Sequence, residues 1–111
     1  MRIEPTGRRA QDARFRFWFL VMYTVYAIRS LVGGRIYIGQ TGDLEGRVRE
    51  HNAGSVKSTK KDRPWDLYAW EVFITRKEVM YVEWRIKRSK GLRQKWFEVN
   101  KPEPSSLVSG S

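Results

Sequence analysis

The chain of 111 residues contains no cysteine and a single histidine, His51. Without thiols it forms no disulfide, carries no thiol nucleophile and builds no thiolate zinc site. One imidazole excludes a multi-histidine metal centre, so a resident metal would have to be a hard cation held by carboxylate and water oxygens. A cytoplasmic setting fits this composition. Long apolar runs are missing too. The most apolar stretch, Phe17 to Ile28, is interrupted by Tyr and Thr and is too short to span a bilayer. It follows Arg14 and Arg16, the order of a signal sequence, but no small-residue cleavage site succeeds it. Acidic residues are scarce, 12 against 22 lysines and arginines, which leaves a net charge of +10. Such an excess is the electrostatic footprint of a polyanion-binding protein, and no basic amphipathic helix with a long apolar face turns it towards a membrane. Nucleic acid is the expected partner, with no membrane, and a monomer is expected.

With 41% hydrophobic residues the chain can build a core, and its length suits one domain. Residues 1–17, with Arg2, Arg8, Arg9, Arg14 and Arg16 and no hydrophobic period, read as a mobile basic extension; residues 18–99 read as the domain, and 100–111 as a disordered tail. Alternation from Tyr23 to Ile28 predicts a strand over 22–28, and a second over 35–39 follows Gly33-Gly34, whose positive backbone angles suit a hairpin. A register centred between Leu31 and Val32 sets Tyr26 directly opposite Tyr37, both phenols on one face. Asp43 opens a helix over 44–52 and Gly54 stops it. Gly46 inside that helix costs about 1 kcal/mol relative to alanine, which a close backbone approach would explain. A third strand over 67–73 precedes a helix over 75–89 with a Thr75/Glu78 capping box, and a short basic helix over Leu92 to Val99 begins past Gly91. The fold class is α+β, a small three-stranded antiparallel sheet flanked by helices.

The chain is organised around Tyr37 to Asn52, a strand end, a polar turn and a helix on which Arg47 and His51 stand four apart on one face. A phenol, a guanidinium that can fork onto phosphate oxygens and the sole imidazole form a constellation suited to phosphate chemistry. On the helix over 75–89, Val79, Val82 and Ile86 form the apolar stripe, and Glu83 lies about 40° from Val79. A carboxylate bordering the core is costly unless paired or bound to a cation. The wheel alone leaves two readings open, a metal ligand or an i,i+4 pair with Lys87.

Thr24-Val25-Tyr26 and Tyr37-Ile38-Gly39 resemble the paired motifs of the GIY-YIG nuclease superfamily, in the manner of its small single-domain members and of the excinuclease N-terminal domain. The second motif matches letter for letter, Leu44, Arg47 and His51 fall at the family's helix spacing, and Glu83, Lys87, Ser89 and Gly91 resemble its later helix region. Thr24 replaces the family's first glycine, Gln40 stands where several relatives carry lysine, and neither Gln94 nor Asn100 matches the downstream asparagine of larger members. The resemblance implies the GIY-YIG fold and hydrolysis of DNA phosphodiesters, or of RNA, with one Mg²⁺ or Mn²⁺ ion. It implies that Tyr26 activates or orients water, Tyr37 holds the scissile phosphate, Arg47 neutralises developing charge, His51 shuttles a proton or binds phosphate, and Glu83 holds the metal.

Gln40, Lys57, Lys60, Lys61, Lys87 and Lys90 are expected along the nucleic-acid backbone, since a basic loop beside such a site suits phosphates. Two other readings compete: a catalytically inactive nucleic-acid-binding module of the same fold, and a basic structural protein of a ribonucleoprotein. Tyr26, Arg47 and Glu83 together favour the nuclease, because binding alone needs no carboxylate near a phosphate.

Overall fold

The computed structural model describes residues 22–102; the basic extension expected over 1–17 and the tail from residue 103 onward lie outside the described residues. Three strands, β1 (Tyr23–Ser30), β2 (Ile36–Thr41) and β3 (Trp65–Phe73), form one antiparallel sheet in the order β2-β1-β3. The helices among the described residues are α1 (Leu44–Ala53), α2 (Arg76–Arg88) and α3 (Lys90–Asn100), with a short 3-10 turn at Lys60–Asp62. The α+β architecture is the one that the alternation and capping signals predict.

Alternation divides the sheet into two faces. Val25, Ala27, Ile38 and Ala69 pack against Val79, Ile86, Trp96 and Phe97 of α2 and α3. Tyr26, Ile28 and Trp70 pack on the other side with Leu44 of α1 and Trp65. Each large side chain sealed in these layers contributes about 1.5–3 kcal/mol. The middle strand β1 is therefore covered on both faces, while β2 is an edge.

The hairpin register differs from the expected one. Tyr26 faces Gly39, and Tyr37 faces Ile28. The cause is Ser30: its hydroxyl oxygen accepts from the amides of Val32 and Gly33, both at 3.2 Å, and the turn closes between Ser30 and Arg35. Of the two glycines only Gly34 adopts a positive φ, +78°. The slip is two residues, so side-chain parity survives and both tyrosines stay on the α1 face.

Helix ends follow local chemistry. Asp43 caps α1 by accepting from the Gly46 amide at 3.1 Å, and Gly54, with φ +84°, ends it. A Cβ at Gly46 would overlap the Asp43 carboxylate, so the close approach at that glycine is to the helix's own cap. The Thr75/Glu78 capping box opens α2 as expected. α2 ends short of Gly91, as expected, and the residue at the break is Ser89. It ends α2 and caps α3 by accepting from the Leu92 amide at 3.2 Å, so α3 starts at Lys90 rather than Leu92. Asn100, assigned to the tail on sequence, is buried in the last turn of α3 with its side-chain amide donating to the Trp96 carbonyl at 3.0 Å. That bond makes it a helix-end group.

Candidate active site

Tyr26 leaves the middle of β1 towards α1 and is 1% exposed. It fits because Gly39 lies opposite: a Cβ there would stand 2.8 Å from the phenol oxygen and 2.9 Å from Cζ. Tyr37, two residues earlier on the same face of β2, brings its ring centroid to 6.3 Å from that of Tyr26. The last turn of α1 supplies His51, which is fully buried, with Nε2 2.9 Å from the Tyr26 oxygen and its ring centroid 5.0 Å from that of Tyr37. On its other side, Nδ1 lies 2.8 Å from the Thr59 hydroxyl. One turn earlier, Arg47 sets its guanidinium beside the Tyr26 hydroxyl and pairs through Nη1 with Glu50 at 2.8 Å.

Burial governs the protonation of this group. It pushes the Tyr26 phenol up to about 12, against the opposing pull of the adjacent guanidinium, so the hydroxyl is protonated throughout the neutral range. Burial also pushes His51 below its ordinary value, helped by the positive charge of Arg47 and opposed by Glu50. At neutral pH the imidazole is therefore uncharged and one ring nitrogen keeps its lone pair. Arg47 is held still more firmly charged, chiefly by Glu50 and then by the phenol.

Glu83 reaches the site from the opposite face. Its side chain is 16% exposed; Oε1 accepts from the Gln40 amide at 2.8 Å and Oε2 meets the Lys87 ammonium at 2.8 Å. Gln40 thus ties the edge strand to α2, and the Glu83 charge is near enough to add to the upward shift of Tyr26. The Lys87 pair offered as one of two readings is formed. It does not close the other, because each carboxylate oxygen retains a lone pair beyond the donor it accepts. Among the described residues no cluster of three or more His, Asp or Glu side chains could hold a metal. A single carboxylate still suits Mg²⁺, which keeps several waters and takes further oxygens from substrate phosphates.

The structure therefore brings Tyr26, Tyr37, Arg47 and His51 into one group, with Glu83 joined across β2 by Gln40. Lys57, Lys60 and Lys61 are exposed on the loop that follows α1, and Lys90 is exposed at the start of α3. Ile36, Tyr37, Ile38, Lys87 and Arg93 line a shallow concavity on the outer side of the β2 edge. Sequence reasoning missed three members of this neighbourhood. Glu50 was legible as the i,i+3 partner of Arg47. Arg93, anchored by the carbonyls of Ile86 at 2.9 Å and Lys87 at 3.2 Å, is one cation among many in a basic chain. Thr59 carries no periodic signal at all.

Two tyrosines on neighbouring strands, an Arg/His helix face and a glutamate one helix further on define a class. Residues 22–95 match the GIY-YIG catalytic domain, and the chain belongs to that family of nucleases. Its relatives include small proteins named UPF0213. It is 44% identical over 55 residues to one from Bacillus pumilus, which takes in 49% of this chain and 56% of that protein. One from Haloquadratum walsbyi is 37% identical over 73 residues, 60% of this chain and 82% of the relative. One from Halobacterium salinarum is 41% identical over 68 residues, 60% and 87%. The chain thus spans little more than half of the Bacillus relative and most of the other two.

Proposed function

We propose that this chain is a metal-dependent endonuclease that hydrolyses DNA phosphodiester bonds in repair or processing in the cytoplasm, with Tyr26, Tyr37, Arg47, His51 and Glu83 as its catalytic set. The observation that carries this reading is the 2.9 Å contact between the Tyr26 hydroxyl and Nε2 of a neutral, fully buried His51. A phenol held protonated up to about pH 12 is no base by itself. It becomes one when its own proton has somewhere to go. As Tyr26 accepts a proton from the attacking water, its hydroxyl proton passes to His51 Nε2, and the water oxygen forms its bond to phosphorus as the bond to the departing oxygen breaks. Arg47, beside the same hydroxyl, stabilises the negative charge that develops on the phosphoryl oxygens. Tyr37 orients the phosphate.

Glu83 would hold a single Mg²⁺ or Mn²⁺ ion, which when bound stabilises the charge on the departing oxygen. Gln40 holds that carboxylate in place through the 2.8 Å bond to Oε1. Gln40, Lys57, Lys60, Lys61, Lys87 and Lys90 supply the backbone contacts. Conversion of supercoiled plasmid to the nicked form with magnesium, and its loss in EDTA, tests the reading. A chain that binds the plasmid and never nicks it is the inactive binding module instead; cleavage of RNA in preference to DNA would reassign the substrate.

A further inference from the structure

The hydroxyl of Thr59 has no role in the reaction just described, yet it is sealed from solvent at 0% exposure and aimed at the one histidine. Thr59 heads the 3-10 turn but makes no capping bond there, so its hydroxyl is left for other partners. Its backbone is pinned on both sides. The amide donates to the Val56 carbonyl at 3.1 Å, and the carbonyl accepts from the Trp65 indole at 2.9 Å and from the Asp62 amide at 3.2 Å. The hydroxyl oxygen lies 2.8 Å from His51 Nδ1 and 3.3 Å from the Val56 carbonyl.

Proton accounting along this chain of groups leaves one consistent arrangement. The Val56 carbonyl can only accept, so the Thr59 hydroxyl donates to it and its oxygen accepts from His51 Nδ1–H. Nε2 then carries the lone pair and accepts the hydrogen bond of the Tyr26 hydroxyl at 2.9 Å, with the Arg47 guanidinium beside the phenol oxygen. Every donor on the line from the phenol to the Val56 carbonyl then has an acceptor. In the opposite arrangement Thr59 donates to Nδ1 and Nε2–H donates to Tyr26. Nε2–H and the positive Arg47 guanidinium then both face the phenol oxygen, and the phenol's own buried proton loses the only acceptor that the described residues give it.

We propose that Thr59 is a positioning residue that holds His51 as the Nδ1–H tautomer, so that Nε2 faces Tyr26 as a ready proton acceptor. The catalytic consequence rests on the nuclease reading above; the tautomer does not. Thr59 lies between Lys57 and Lys60, so the loop that presents cations to the phosphate backbone also fixes the imidazole from behind.

Because the chain has one histidine, long-range ¹H–¹⁵N correlation on the metal-free protein at pH 7.5 reads the tautomer without assignment. The expected result is Nδ1–H in the native chain and a shift towards Nε2–H in Thr59→Val, which keeps the shape and removes the hydroxyl. Thr59→Ser is expected to restore Nδ1–H. Plasmid nicking should fall at least about tenfold in Thr59→Val and return in Thr59→Ser, with DNA affinity in EDTA unchanged within about twofold, since Thr59 is fully buried. An Nε2–H tautomer in the native chain, or an unchanged tautomer in Thr59→Val, overturns the proposal. So does full nicking by a Thr59→Val protein whose tautomer has shifted. Should Thr59→Val not fold, the native spectrum and the serine variant still decide the tautomer. A native chain that shows Nδ1–H but never nicks leaves Thr59's role intact and removes the nuclease reading.

Discussion

Gly39→Ala tests whether the site is a packed object. The added Cβ would sit 2.8 Å from the Tyr26 oxygen and 2.9 Å from Cζ, where ordinary contact begins at 3.4 Å, so the phenol must retreat by about 0.6 Å or the edge strand must move out. Neither is easy. Tyr26 is 1% exposed, its ring is flanked by those of Tyr37 and His51, and its hydroxyl is fixed at 2.9 Å from Nε2. Overpacking a core position in this way costs about 1–3 kcal/mol. In a domain of this size each kcal/mol lowers the melting temperature by about 4–8 °C. The position needs no special backbone angle, since only Gly34 and Gly54 have positive φ among the described residues, so the whole effect is steric. Gly42→Ala is the control: nothing lies within 4 Å of the place its methyl would take, and its melting temperature should barely move. Thermal unfolding followed by circular dichroism, beside plasmid nicking, should show Gly39→Ala both less stable and slower. Unchanged melting and unchanged nicking would refute the packing argument.

Arg47→Ala is expected to reduce cleavage far more than DNA affinity, because its charge is proposed to act on the transition state; equal losses in filter binding and nicking would make it a docking residue only. Glu83→Gln keeps the side-chain shape and should abolish magnesium-dependent nicking with DNA binding held or improved, whereas a group serving only the exposed Lys87 partner would cost tenths of a kcal/mol and leave nicking intact. Duplex affinity should fall steeply as salt is raised and vary little with sequence, and replacing Lys57, Lys60 and Lys61 by alanine should flatten the salt slope, read by fluorescence anisotropy. His51 is pushed below its ordinary 6.5, so the unfolded chain takes up a proton that the folded one refuses. Its contribution to stability is full above about pH 6.5 and is lost as pH falls through the lowered value; urea midpoints should drop over that range in the native chain and less in His51→Gln.

Much of this arrangement was readable because it is local. Alternation placed Tyr26 and Tyr37 on one face, the four-residue spacing stacked Arg47 over His51, and the Thr75/Glu78 box started α2 where it does. What escaped depends on partners distant in sequence or on competing caps. The Ser30 hydroxyl draws two turn amides to itself and moves the register by two, which glycine positions alone do not reveal. Ser89 starts α3 two residues earlier than expected, at Lys90, because one serine can end one helix and cap the next. Thr59 meets His51 only after α1 has ended and the chain has doubled back, a closure that no periodicity encodes.

The basic loop after α1 is stitched down along its length. Asn52 exchanges two bonds with the Trp65 backbone, the Ser30 hydroxyl donates to the Asp62 carbonyl at 2.7 Å, and the Leu31 amide donates to the Pro64 carbonyl at 2.9 Å. A loop tied at this many points pays little ordering entropy when a polyanion arrives. Encounter with DNA should then be a single-phase event whose speed follows ionic strength, without a slower closing step behind it. Selectivity among DNA structures would consequently come from how well a given backbone curvature meets a fixed row of charges.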